Sequence, residues 1–539
     1  MQHALLRGAA AQIRRLVEAE LAELAEGDGS AARRARLLAG RSFASILEAD
    51  FVAAHDDARA GLGLGLDLPL FRALSALSAG MGGLESDGPD AHPVDTVAAM
   101  MRSLDDDDDL LTHCWAAALT AEAAMSVGRL EPAETISRRV WLAATATDRP
   151  EAVFAGQTLT RALLFQGRLD EASALAADVE EAAQRHGLLA LRLVVRGSLA
   201  YLAALRGRND ELTAAADGID ELAPHCPAGY FVAGAMVLTA YALAAAQHPR
   251  EAAALLLRGA GGPLLPSIQL VDRAYGYELL VTAALSVGDV PAARRWGDLA
   301  GALSGLPPDG MAAAAVRRIT ARLAVADGRF VAGAILAEQA ASIALGNAGR
   351  LDATRAHLLA GSARLGDVDD GWTARLALTG ARDQATVLGA TSLALLARRD
   401  LRSVGLRLVG EPQAPMTPRE REVAELLLAG ASNAQIAAAL AVSPRTVQSH
   451  VSRLLKVLDL PSRAAVAHAL RPDRERPDHP QPLTPRQRQV ADLISRGYTN
   501  DGAARALHVS RKTIEKHLGD IYRRLAIDSR TALAARWPE

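Results

Sequence analysis

From residue 111 to about 405, stretches of helical text halt at a fixed interval. The pauses are "AMSVGRLEPA" at Gly128, "LLFQGRLDEA" at Gly167, "AALRGRNDEL" at Gly207, "AAAQHPREAA" at Gln247, "ALSVGDVPAA" at Gly288, "AVADGRFVAG" at Gly328 and "ARLGDVDDG" at Gly366. Their spacings are 39, 40, 40, 41, 40 and 38 residues. Glycine ends a helix readily because it adopts the left-handed conformation without a Cβ penalty. A small residue usually follows five positions later, as Ala133, Ala172, Ala252 and Ala293 do. Such a residue lets the next helix pack closely on the last. Two helices of roughly 15 residues and two turns fill one interval, so the period predicts stacked helical hairpins, each burying its apolar face on its neighbours.

This body resembles tetratricopeptide-like repeats, although its period exceeds their usual length and most of their aromatic markers are missing. Residues 1–110 read as further helices, with loops at "EGDGS" and "GGLESDGPDAHP", capping the stack. The fold class expected is all-α, a helical-hairpin solenoid followed by two small helix-turn-helix bundles. Ala and Leu dominate and aromatics are only 4% of the chain, which favours helices. Two cysteines among 539 residues argue against a disulfide framework and for a reducing compartment. The N-terminus is charged every few residues and lacks a signal-peptide core. No apolar run is long enough to span a membrane. A cytoplasmic protein is therefore expected.

Sharper readings of the body yield little. "DDDDD", Asp105–Asp109, is expected to be a solvated loop capping the next helix. His113–Cys114 and His225–Cys226 do not match any zinc spacing. "GLGLGLDLPLF", Gly61–Phe71, lacks the order of a dinucleotide-binding turn. The chain has no lysine before Lys456, so the body holds no phosphate loop of the P-loop type. No catalytic constellation stands out. The reading is thus of a protein that is not an enzyme, with no cofactor and no metal assigned.

The end of the chain differs in charge. Residues 414–539 carry 20 Lys and Arg against 13 Asp and Glu, whereas residues 1–413 carry 39 against 49. A basic block on an acidic body points to a polyanion partner. Within that block one segment occurs twice. Met416–Arg463 and Leu483–Arg530 align at a constant offset of 67 with 19 identities in 48 positions. Each copy predicts a Thr-Pro helix start with Glu420 or Gln487 completing a capping box. Its apolar face is Val423, Leu426 and Leu427, or Val490, Leu493 and Ile494, and Gly430 or Gly497 stops it. A second helix runs from Asn433 to Leu440, or from Asn500 to Leu507. Ser443 or Ser510 caps a third, with staples from Val442 to Val447 and from Val509 to Ile514.

The third helix buries Val447, Val451, Leu454 and Leu458, or Ile514, Leu518, Ile521 and Leu525. Its other face carries Arg445, Gln448, Ser449, Ser452, Arg453 and Lys456 in the first copy. In the second that face carries Arg511, Lys512, Glu515, Lys516 and Arg523. A helix with a polar, basic outer face, held by a short turn against its predecessor, fits the DNA major groove.

"TPREREVAELLLAGASNAQIAAALAVSPRTVQSHVSRLL" and its twin resemble the LuxR-type helix-turn-helix domain of bacterial transcription regulators, over about 60 residues each. The whole chain is similar to the C-terminal part of the large ATP-binding LuxR-type regulators. Their ATPase has no counterpart in this sequence, which leaves nucleotide-driven control unsupported. Copy two departs from the family pattern at Gln487, Gly502 and Ala503, and copy one at Val457. The resemblance implies base contacts at Thr446, Gln448, Ser449 and Ser452, and at Thr513, Glu515, Lys516 and Gly519. Gln448 suits adenine and Lys516 guanine, while Glu515 suits cytosine or repels phosphate. Arg445, Arg453, Lys456, Arg511, Lys512 and Arg523 suit backbone phosphates. His450 and His517 either contact DNA or support the fold.

The resulting domain order is a helical cap at 1–110, repeats at 111–405, one helix-turn-helix unit at 411–472, a linker at 473–481 and a second unit at 482–539. The function expected is a sequence-specific DNA-binding transcription regulator. Its partners would be double-stranded DNA, a protein or small-molecule effector on the repeats, and RNA polymerase, with no membrane. The competing reading is an interaction scaffold whose C-terminal units bind protein.

Overall fold

A computed structural model describes residues 10–24, 31–65, 69–84, 97–99, 113–227, 229–366, 371–403, 422–423, 426–427, 431–440, 442–457, 483–495, 498–507, 509–524 and 533. Every regular element among them is a helix. The acidic run at 105–109, the start of helix one in the first copy, the linker and the segments after the third helices lie outside the described residues. The chain divides into two compact units, 1–400 and 401–539.

In the first unit, helices pair as hairpins. Cys114–Ser126 and Leu130–Ala146 form one, Glu151–Phe165 and Leu169–His186 the next, and the series continues to Thr391–Ser403. The six pauses from Gly128 to Gly328 have positive φ, between 69° and 80°, and they include Gln247 at 69°. At each of them the following N–H reaches back five residues, as Arg129 N to Ala124 O at 2.9 Å and Arg168 N to Leu163 O at 2.9 Å. This is the Schellman arrangement that satisfies the last carbonyls of a helix. Gly366 departs from the series, because its φ is not positive. A Cβ there would stand 2.3 Å from the Phe330 ring, so close packing, not backbone conformation, requires glycine. The alanines five residues beyond the pauses, Ala133, Ala172, Ala252 and Ala293, are all fully buried.

The hairpins coil tightly. Arg129 donates to Asn347 Oδ1 at 3.1 Å and to Asp309 Oδ2 at 3.0 Å, respectively 218 and 180 residues along the chain. A Cβ on Gly128 would meet the Met311 nitrogen at 2.8 Å, and Gly167 abuts Leu388. One turn of the coil therefore takes about five hairpins. Charged side chains are buried within it. Glu278 accepts a two-pronged bond from Arg318, at 2.9 and 2.7 Å, and both residues are fully buried. Burial alone would raise the Glu278 carboxyl, but Arg318 and Arg355 outweigh it and hold it at about 2. Tyr275 donates to Asp352 in the same cluster.

Cys114 is buried, and burial pushes its thiol up to about 11, so it behaves as a packing residue and not as a thiolate. Among the described residues no cluster of His, Cys, Asp and Glu could hold a metal ion. No described helix is long and apolar enough to cross a membrane.

Candidate nucleic-acid interface

Each C-terminal copy is built on a small three-helix core. In the first, Val423, Leu427, Ile436, Ala437, Val447 and Val451 are buried together, with Leu426, Ala431, Leu440 and Val442 packed around them. In the second, Val490, Ala491, Ile494, Tyr498, Ala503, Ala504, Ile514, Leu518 and Ile521 are buried. The helix faces read from the 3.6-residue period thus point into these cores, with Leu426 and Leu493 only partly buried.

The caps orient the elements. Thr484 and Gln487 form a reciprocal capping box, at 3.1 and 3.2 Å, and start the helix Pro485–Ser495. The second helices, Asn433–Ala439 and Asn500–Ala506, end one residue earlier than the sequence suggests, with Leu440 and Leu507 in the cap positions. Ser432 and Thr499 begin them. In copy one Gln435 returns the bond to Ser432 at 2.7 Å. In copy two the matching residue is Gly502, which has no side chain to return it. "SNAQ" carries the capping-box signature in plain sequence, so this cap was readable there. Ser443 and Ser510 then accept from Thr446 N and Thr513 N at 3.0 and 3.1 Å, starting the third helices, Pro444–Val457 and Arg511–Arg524.

Because Val447, Val451, Ile514, Leu518 and Ile521 face inward, the intervening positions face out. Arg445, Thr446, Gln448, Ser449, Ser452 and Arg453 are exposed, as are Arg511, Lys512, Glu515, Lys516 and Gly519. Thr513, His450 and His517 are half-buried. Lys456 and Arg523 lie on the same helices, but their side chains fall outside the described residues. Ser449 bonds back to the Arg445 carbonyl at 3.2 Å.

Copy two carries a surface feature the sequence reading missed. Arg511 donates to Glu515 at 2.9 Å and to Asp501 at 3.3 Å. The bond from Arg511 holds the Glu515 carboxyl below its usual range. The corresponding positions of copy one are Pro444, Gln448 and Ala434, which cannot form such a triad. Asp501 lies ten residues from Arg511, beyond any local spacing rule. Not every basic side chain faces outward for a partner: Arg486 donates to the Leu507 carbonyl at 2.5 Å and ties the first helix to the end of the second.

A short second helix, a tight turn and a third helix with a polar outer face define a helix-turn-helix, and the chain holds two. Comparison with known proteins identifies the type. The pattern of the bacterial regulatory proteins of the luxR family matches residues 414–470 and again 481–536. The end of this chain therefore carries two LuxR-type domains. Over 67 residues the chain is 39% identical to the transcriptional regulatory protein UhpA of Salmonella typhimurium, covering 12% of this chain and 34% of that protein. Over 48 residues it is 52% identical to the putative HTH-type transcriptional regulator Rv0890c of Mycobacterium tuberculosis, covering 9% of this chain and 5% of that protein. The chain thus spans about a third of one relative and a twentieth of the other.

Proposed function

We propose that this protein is a sequence-specific DNA-binding transcription regulator whose helical body senses a protein partner or a small ligand. The supporting observation is the pair of third helices, each capped, buried on one face and polar on the other. Gln448 pairs with adenine and Lys516 donates to guanine. Arg445, Arg453, Lys456, Lys512 and Arg523 position the duplex through phosphates. Arg511 joins them once DNA draws it from Glu515 and Asp501, which leaves Glu515 to accept from cytosine. Thr446, Ser449, Ser452, Thr513 and Gly519 line the groove.

The domain boundaries proposed are 411–472 and 482–539, joined by the charged, Pro-rich segment "RPDRERPDHPQP". Single helix-turn-helix units bind as dimers with recognition helices about 34 Å apart. Here the second unit is attached already, so one chain supplies both. Gln448–Ser449 and Glu515–Lys516 differ, so its site is two unequal half-sites.

The test is selection of bound sequences from random DNA with fragment 411–539, followed by a salt series. Phosphate contacts require affinity to fall steeply with salt, by a logarithmic slope of about −0.9 per contact. Enrichment of an asymmetric site bound by one fragment supports the proposal. A flat, weak response without enrichment overturns it in favour of a protein-binding scaffold.

A further inference from the structure

The third helices of the two copies open differently. Arg511 is the first residue of that helix in copy two, where copy one has Pro444. Proline suits the place, because its missing N–H is not needed there. Arginine does not, since the positive end of the helix dipole lies beside it. Arg511 also stands four residues before Glu515, the weaker order for an ion pair on a helix. Local helix stability therefore gives no reason for Arg511.

Its partners give one. Arg511 Nε donates to Glu515 at 2.9 Å on its own helix, and its Nη1 donates to Asp501 at 3.3 Å in the first turn of the second helix. Asn500, beside Asp501, adds a bond to Glu515. The side chains of Arg511, Asp501 and Glu515 are 63%, 60% and 48% exposed, so a phosphate can reach the guanidinium in place of either carboxylate. Arg445, Lys512 and Lys516 on the two outer faces meet no carboxylate among the described residues. Arg511 differs from them in being held by two before any DNA arrives.

We propose that Asp501 is a specificity-determining residue of copy two: by holding Arg511 on Glu515 it penalises DNA that offers Glu515 no amino group. Every duplex presents phosphates, so an untethered Arg511 would bind all sequences alike. With the latch in place a phosphate must displace two carboxylates, which are left unpaired close to the negative backbone. Cytosine presents an amino group in the major groove and takes over Glu515, so the right base recovers part of that cost. Discrimination then comes from weakening the wrong complexes more than the right one. Ala434, Pro444 and Gln448 leave copy one without the device. This rests on the DNA-reading role proposed for the third helices and names a residue outside them that sets their selectivity.

The full chain is titrated, over a salt series, with the site it selects from random DNA and with a scrambled duplex. Asp501→Asn keeps the shape and removes the charge. Binding to the scrambled duplex should rise more than binding to the selected site, lowering the ratio of the two affinities by about threefold. The logarithmic salt slope on scrambled DNA should steepen by up to about 0.9, as one released arginine reaches a phosphate. In an Arg511→Ala background Asp501→Asn should leave the ratio unchanged, because no cation remains to be released. All three positions are exposed, so each variant should melt with the unaltered chain. An unchanged ratio for Asp501→Asn alone would make Asp501 a general repellent of DNA and overturns the proposal. An equal fall of the ratio in both backgrounds also overturns it, since Arg511 would then play no part. An unaltered chain that selects no sequence and shows a flat salt response overturns the DNA-reading role and this inference with it. Selective, salt-dependent binding with an unchanged ratio removes the latch and leaves that role standing.

Discussion

Where the first C-terminal copy has Ile436 and a small Ala431, the second has Ala503 and a large Tyr498. Both pairs occupy matching positions, and Ile436, Tyr498 and Ala503 are all buried. The Tyr498 ring comes within 3.4 Å of where a Cβ on Gly502 would stand. Volume lost at one position is thus returned at another, which keeps a packed core of three short helices. The outer faces do not compensate in this way. Copy one offers Gln448 and Ser449, and copy two offers Glu515 and Lys516 with Arg511 tied to Glu515. A duplicated frame keeps its core volume while its reading face is free to change, because only the core must be filled for the unit to fold.

The largest effect should come from removing the compensating ring. Tyr498→Ala should cost about 3–5 kcal/mol and unfold copy two while copy one keeps its protected amides, measured by hydrogen exchange on fragment 411–539. Equal loss in both copies would mean that they do not fold separately. Ile436→Ala should do the same to copy one, at about 2–5 kcal/mol.

Ala503→Ile tests the exchange itself. Alone it overpacks and should cost about 1–3 kcal/mol. Combined with Tyr498→Ala, it should recover part of that variant's loss, with a coupling energy of about 0.5–3 kcal/mol in a double-mutant cycle. Simple additivity would break the comparison.

Lys516→Ala should lower DNA affinity by about 1–3 kcal/mol and relax preference at one base position, whereas Arg445→Ala should weaken all sequences alike and reduce the salt slope. Binding to the selected site and to scrambled DNA separates the two. A uniform loss for Lys516→Ala would make it a phosphate contact.

Smaller effects belong to the caps. Ser432→Ala should cost about 1 kcal/mol by denaturant unfolding, and Gly502→Gln should gain up to about 1 kcal/mol by completing the box that copy two lacks. The new Cβ would stand 3.3 Å from Thr499 Oγ1, so some of that gain goes to crowding. Least of all, Arg511→Ala should leave the unfolding midpoint unchanged, since the triad is well exposed. A clear shift would show that the triad stiffens copy two.

Much of this was legible in the residues alone. The 40-residue pauses, the left-handed turns at six of them, the buried alanines, the two LuxR-type copies and the outward faces of their third helices all follow from rules that act within a few residues. Ser432, Thr499 and the cap of helix three are of that kind, because a helix end must find partners among its immediate neighbours. What only the tertiary structure decided involves residues far apart. Arg129 meets Asn347, Asp272 meets Arg161, and Gly366 yields to Phe330, because each hairpin adds a small rotation and only their sum brings distant turns together. Tyr498 standing in for the Ile436 of the other copy is a decision of the same sort. The sequence records both residues, but only a shared core gives them one volume to divide.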